Sequence, residues 1–277
     1  DAPQSSQALL GMPLRLLQKD DWLQVQTPDG YISWVLPSTV HRVTQSELTE
    51  WNTSKQIVVT SLYGLVYTRP DLKSETVGDI CAGNRLKLIG NSGNFFYIAY
   101  PDGRTGYVSK ADAKELQAWR NGMKRDAQSI ISTGRRLKGL PYMWGGTSTK
   151  GVDCSGFVRT TLLMHDIIIP RDASQQAYKG EHIDIAEDFN NLQPGDLLFF
   201  GQKATDERPA RVHHVAIYTG NKRFIHSLGF VHESSFSPED EDYDAYDLRR
   251  LLWAERILPY INKEKELNTT DQNSFYK

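Results

Sequence analysis

Cys154 lies at the end of a glycine-crowded approach. Pro141-Tyr142-Met143-Trp144-Gly145-Gly146 leads to Gly151-Val152-Asp153-Cys154-Ser155-Gly156-Phe157, and an apolar run to Met164 follows. That run reads as a helix with Asp153 as N-cap and Cys154 in its first turn. The positive end of the helix macrodipole favours a thiolate there, and a thiolate is the nucleophilic form. Glycines on either side permit close approach of a substrate backbone. The residue types therefore point to covalent thiol catalysis. The competing reading is a small buried cysteine with no chemistry.

A nucleophilic thiol needs a base, commonly a histidine oriented by a further polar group. Of seven histidines, His41, His165, His182 and His232 carry no partner pattern and read as ordinary residues. His213, His214 and His226 lie on two alternating segments joined around Thr219-Gly220-Asn221. A three-residue hairpin loop would pair Tyr218 with Lys222, Ala216 with Phe224 and His214 with His226, with His213 pointing away. A two-residue loop would put the two histidines on opposite faces. The shared apolar face of Ala216 and Phe224 selects the first register. His214 is then the base and His226 its orienter. Zinc bound by cysteine and histidine is the rival chemistry, but no paired Cys-x-x-Cys or His-Glu-x-x-His spacing is present. No metal or other cofactor is expected.

The elements that must position these residues follow from the rest of the chain. Residues 139–258 read as a helix followed by strands, an α+β domain. After the cysteine helix come the loop Ile169-Pro170-Arg171-Asp172-Ala173-Ser174-Gln175-Gln176, a turn at Gln193-Pro194-Gly195 and a strand Asp196–Phe200. Strands His213–Tyr218 and Arg223–His226 follow. The acidic run Glu239–Asp247 reads as a solvated loop, and the tail past Leu258 as frayed. Upstream, 111–138 has helical spacing at Leu116, Trp119, Met123, Ala127, Ile130, Ile131, Gly134 and Leu137.

Residues 1–110 repeat. Leu14-Arg15-Leu16-Leu17, Trp22-Leu23-Gln24-Val25, Pro28-Asp29-Gly30 and Trp34-Val35 recur as Leu86-Lys87-Leu88-Ile89, Phe95-Phe96-Tyr97-Ile98, Pro101-Asp102-Gly103 and Tyr107-Val108. Alternating runs broken by Pro-Asp-Gly are strand-and-turn signals, giving two small barrels with a polar, partly helical connector at His41–Lys55. The second copy opens with Ile57-Val58-Val59-Thr60, for which the first has no counterpart. The reading divides the chain into 1–45, 56–110 and 111–277.

Composition narrows the classes. With 39% hydrophobic and 24% charged residues the chain can bury an ordinary core. A net charge of -2 offers nucleic acid no general attraction. No apolar run approaches the roughly 20 residues that span a bilayer. Cys81 and Cys154 read as reduced. The chain does not begin with Met, and its export signal is not visible.

Taken together, Tyr142-Met143-Trp144-Gly145-Gly146, Asp153-Cys154-Ser155-Gly156-Phe157, Pro194-Gly195-Asp196-Leu197-Leu198-Phe199-Phe200, His214-Val215-Ala216-Ile217-Tyr218 and Phe224-Ile225-His226 resemble the NlpC-type papain-like cysteine peptidases of bacterial cell-wall metabolism. The two repeats resemble bacterial SH3-like modules. The whole is similar to the γ-D-glutamyl-L-diamino acid endopeptidases, which cut murein stem peptides between γ-D-Glu and diaminopimelate or L-Lys. The resemblance implies Cys154 as nucleophile, His214 as base and His226 as third member. It implies Tyr142 and the Cys154 amide at the oxyanion site, and substrate contacts at Asp153, Ser155, Arg171, Asp172 and Ser174, where Ala173 occupies a position expected to be Ser. It also implies that the first module closes the non-primed end, with Tyr31 near a free L-Ala amine and an acidic partner at Asp1, or Gln4 in its place. A monomeric, exported envelope protein is the corresponding expectation. A non-catalytic wall-binding protein and an acyltransferase or amidase on the same scaffold are the alternatives.

Overall fold

The computed structural model describes residues 3–277, and its chain falls into two compact units. Among the described residues, one comprises 3–6, 124–147 and 151–269; the other comprises 7–123, 148–150 and 270–277. Asp1, one candidate partner for a substrate amine, lies outside the described residues.

The second of these units is β-rich. Arg15–Lys19, Leu23–Gln26 and Ile32–Val35 form a three-stranded antiparallel sheet, the strand signals of the first repeat. The second repeat lies in a seven-stranded sheet closed around Ile57, Val66, Ile80, Leu86, Ile98 and Val108, all essentially inaccessible. The connector forms a helix, Gln45–Thr53, because Thr44 and Glu47 make a reciprocal capping box. Residues 111–138 supply two helices, Leu116–Asn121 and Ala127–Arg136, one to each unit.

The other unit carries a six-stranded antiparallel sheet in the order Glu181–Ile183, Leu251–Arg256, Leu197–Gln202, Arg211–Gly220, Arg223–Leu228, Phe230–Ser235. Ile183, Leu198, Phe200, Ala216, Tyr218, Phe224, Phe236 and Ala254 form one apolar cluster. The cysteine helix, Cys154–Leu163, is buried along nearly its whole length. It packs near the helix Ala127–Arg136, where a Cβ on Gly134 would sit 3.2 Å from the Phe157 ring.

Two expectations fail here, for physical reasons. The tail past Leu258 is ordered: Asn268–Thr269 pairs with Ile167–Ile168, and Leu267 is fully buried. Beyond it, the Asn273 amide donates to the Pro28 carbonyl at 2.8 Å. Polar composition suggested fraying, but these groups find backbone partners. The acidic run is not a solvated loop either. Arg223 bonds Asp240 at 3.0 Å and also pairs with Asp242, while Asp247 is fully buried on the helix Ala245–Arg250.

The start of the cysteine helix depends on a backbone contact that no side chain could share. A Cβ on Gly156 would fall 1.9 Å from the Gly146 carbonyl oxygen. Gly156→Ala should therefore destabilise the protein by about 1–3 kcal/mol, the usual range for overpacking. Thermal unfolding checks this, and an unchanged midpoint would show that the contact relaxes freely.

Candidate active site

Asp153 organises the approach to the thiol. Its Oδ1 accepts the Gly156 amide at 2.7 Å, capping the helix as the sequence implies, and its Oδ2 accepts the Gly145 amide at 3.0 Å. Arg171 grips both carboxylate oxygens and donates to the Ser155 hydroxyl at 2.8 Å. All three side chains are buried. Asp153, Ser155 and Arg171 thus form one internal ion-paired network beside Cys154. Bidentate geometry of this kind is the strong form of an arginine–carboxylate pair. Gln176, which the sequence reading passed over, is fully buried and donates to the carbonyls of Pro170 (2.8 Å) and Ser155 (3.3 Å). Asp172 caps a short helix with Gln175, and Ser174 on that helix is exposed. Tyr142 is half-buried, and its hydroxyl is pushed up to about 12 by burial and by the nearby Cys154 and Asp153. In the other unit, Tyr31 is half-buried beside the Pro28-Asp29-Gly30 turn, its carbonyl accepting from Thr27 at 2.9 Å.

The thiol is 9% exposed, and the amides of Ser155 and Val215 point at its sulfur. The macrodipole argument expected a thiolate, but desolvation outweighs it. Burial first, and then the Asp153 charge, push the Cys154 thiol up to about 11, against the two amides and Arg171. Cys154 and Cys81 are both free.

His214 is buried and His213 exposed, as expected. The hairpin between them and His226 differs from the expected one. Tyr218 pairs with Phe224 and Ile217 with Ile225, around a two-residue turn whose residues Asn221 and Lys222 have φ of 52° and 60°. Asn tolerates this left-handed region. Lys222 is held there by the Tyr218 hydroxyl, which accepts its amide at 3.0 Å, and by the Phe236 amide, which donates to its carbonyl at 2.8 Å. A two-residue turn alone would have separated the histidines, but the ladder slips by one residue at Gly220, a bulge with φ of 99°. The slip restores parity. His226 then lies diagonal to His214, not opposite it, and His214 Nε2 and His226 Nδ1 are hydrogen-bonded at 2.9 Å. Diagonal neighbours reach each other when their side chains are long or aromatic.

Two further residues join this pair without having been foreseen. Asp247 Oδ2 lies 3.5 Å from His226 Nδ1 and 4.0 Å from His214 Nε2, and it has no hydrogen-bond partner among the described residues. Burial raises the Asp247 carboxyl above its ordinary range, while Arg250 opposes the shift from the other oxygen. His232, read as ordinary, lies directly opposite His226 on the next strand, with Nε2 atoms 3.1 Å apart. Its sequence signal is the spacing His226-x-x-x-x-x-His232, which places the two rings opposite each other only because Phe230–Ser235 pairs as a strand. Of the other histidines, His165 bonds Thr133 and the Lys124 carbonyl, and His182 bonds Glu255.

His214, His226 and Asp247 hold donor atoms within 4.8 Å of one another, a spacing that a metal ion could span. Cys154 is not in that set, and the two imidazoles already bond each other. The arrangement suits proton transfer between a desolvated thiol and a desolvated imidazole pair.

A cysteine in the first turn of a buried helix, beside an antiparallel sheet carrying paired histidines, is the architecture of papain-like cysteine hydrolases. Residues 139–251 match the NlpC/P60 family, residues 1–40 the bacterial dipeptidyl-peptidase Sh3 domain and residues 64–114 the bacterial SH3 domain. The chain carries an NlpC/P60 catalytic domain with N-terminal bacterial SH3 domains. Its relatives include a gamma-D-glutamyl-L-lysine dipeptidyl-peptidase of Bacillus cereus, 33% identical over 80% of this chain and 66% of that one. A protein of the same name from Bacillus subtilis is 36% identical over 51% of this chain and 44% of its own length. The chain thus spans two thirds or less of the length of these two relatives. The crystal structure of an NlpC/P60 family protein from Bacillus cereus superposes with a TM-score of 0.76 at 28% identity, covering 92% of this chain and 82% of that one.

Burial drives the His214 imidazole down to about 3 and the His226 imidazole down to about 2, both far below the ordinary 6.5. Between those values and 6.5 the unfolded chain binds more protons than the folded one, so stability falls as the pH falls through that window. The melting temperature should therefore drop continuously from pH 7 to pH 4. A flat profile would mean that the pair is not held neutral by the fold.

Proposed function

We propose that the protein is a cysteine peptidase that hydrolyses the bond between γ-D-Glu and the diamino acid, diaminopimelate or L-Lys, of murein stem peptides. The observation that carries this reading is the His214–His226 hydrogen bond on the strand whose Val215 amide faces the Cys154 sulfur. In this reading His214 takes the thiol proton as the sulfur attacks the γ-carbonyl, and His226 orients it. The Cys154 amide, with Tyr142, receives the charge on the tetrahedral oxygen. Collapse expels the diamino-acid amine, which takes the proton from His214, and water then releases the acyl group from Cys154. Asp247 faces the imidazole pair as positive charge develops on it, which its carboxylate would favour. The buried positions of Asp153, Ser155 and Arg171 support a role in shaping the cleft wall, with Asp172 and Ser174 nearer the substrate.

The modules are assigned as 1–45, 56–110 and 111–277, acting as a monomer in the envelope of a bacterium. No helix among the described residues is long and apolar enough to cross a membrane. The names of the relatives, and the match of residues 1–40 to a dipeptidyl-peptidase module, support selection of a free L-Ala amine by that module through Tyr31. An aromatic face can stabilise an ammonium ion that has left water.

Defined muropeptides followed by mass spectrometry test the chemistry. Cys154→Ala should abolish release of the diamino-acid fragment while the protein stays folded. His214→Ala should cost at least about 100-fold, His226→Ala less, and chelators nothing. Near-native turnover by Cys154→Ala would refute the nucleophile, and zinc-restorable loss with a chelator would favour a metal enzyme.

The same assay tests the end selectivity. Peptides with a free L-Ala amine should be cut well, and those whose amine is acylated poorly. Tyr31→Ala should slow the free-amine substrate without lowering the melting temperature. Equal cleavage of both peptides by the wild type would defeat the selectivity and leave the triad standing.

A further inference from the structure

His232 sits at the end of a row of three imidazoles. Its Nδ1 lies 2.9 Å from the Phe230 carbonyl oxygen, and its Nε2 lies 3.1 Å from His226 Nε2. His226 Nδ1 in turn lies 2.9 Å from His214 Nε2. A carbonyl oxygen can only accept, so His232 carries its proton on Nδ1 and offers a lone pair at Nε2. His226 must then donate from Nε2, which leaves its Nδ1 to accept. His214 must donate from Nε2, which leaves its Nδ1 bare. One backbone carbonyl thus fixes the tautomer of every ring in the row, and it leaves on His214 the free lone pair that a base needs. The Ser234 hydroxyl, 3.4 Å from His226 Nε2, can donate or accept and does not set the direction.

We propose that His232 is a positioning residue of the active site: it sets the tautomers of His226 and His214, and a proton arriving on it switches the base off. The inference rests on the assignment of Cys154, His214 and His226 given above. His232 is only half-buried, so it meets solvent, whereas His214 and His226 do not. A proton added at His232 Nε2 places two donors face to face across the 3.1 Å gap. The conflict is relieved when His226 moves its proton from Nε2 to Nδ1, and His214 then moves its own from Nε2 to Nδ1. One proton enters at His232, none leaves, and His214 Nδ1 can no longer accept the thiol proton. The charged and titratable groups that face this row are Asp247 and Arg250 from the helix Ala245–Arg250. Glu233, the next residue along the strand, is paired with Arg135 at 3.0 Å and Lys138 at 3.5 Å.

The test compares His232→Gln, whose carbonyl can accept from His226 and does not titrate, with His232→Lys, whose ammonium can only donate. Both are assayed on the free-amine muropeptide across the pH range, beside Cys154→Ala. His232→Gln should keep close to the wild-type kcat at alkaline pH and retain it to lower pH than the wild type. His232→Lys should lose at least about 100-fold in kcat with little change in melting temperature. Equal losses in the two variants would reduce His232 to a structural residue. Wild-type pH profiles in both would remove it from the mechanism. Should the Lys variant not fold, an unshifted acid limb in His232→Gln overturns the inference by itself. Turnover by Cys154→Ala would instead sink the site assignment on which the inference rests.

Discussion

Removal of Cys154, His214 and His226 from water is the constraint on which the site depends. Burial raises the thiol and lowers both imidazoles, so each cost of desolvation favours the uncharged form of its group. On the proposed roles, a neutral thiol and a neutral base need no ion pair stabilised in advance. In the proposed mechanism charge appears only when the sulfur attacks, beside the Ser155 and Val215 amides and the Asp247 carboxylate. Preorganised dipoles of this kind act most strongly in a low-dielectric interior.

The fold supplies that dryness with few parts. The sheet brings Phe200 and Phe224 against the imidazoles, with ring centroids 5.5 Å from His214 and 5.0 Å from His226. Asp153 ties the glycine approach, the helix start and Arg171 into one network, so the thiol's position is fixed by hydrogen bonds and not by packing alone. Breaking one partner of so buried a pair leaves an uncompensated charge, which is why such networks rigidify the cleft they line.

The helix start and the histidine pair were legible in sequence because each rests on local rules: an N-cap three residues from the amide it bonds, and alternation along a strand. The hairpin register was not, since it turns on a bulge at Gly220 and two left-handed residues held by Tyr218 and Phe236, which are tertiary partners. Asp247 was hidden for a related reason. Five neighbouring residues of the same sign and polarity obscure the one that faces inward on a single helical turn. His232 was missed because its significance exists only across strands. The preference of Cys154 for its protonated form reverses the local expectation, because helix position is a short-range signal while desolvation belongs to the whole fold.

The protonation state of Cys154 at rest tests this account most directly. Thiolate absorbance near 240 nm can be followed against pH as the difference between the wild type and Cys154→Ala. The account predicts no Cys154 thiolate at neutral pH, with the signal appearing only in the alkaline range, toward the value of about 11 to which burial raises the thiol. A thiolate signal already present at neutral pH and lost only in acid would show a resting thiolate–imidazolium pair, and would contradict it.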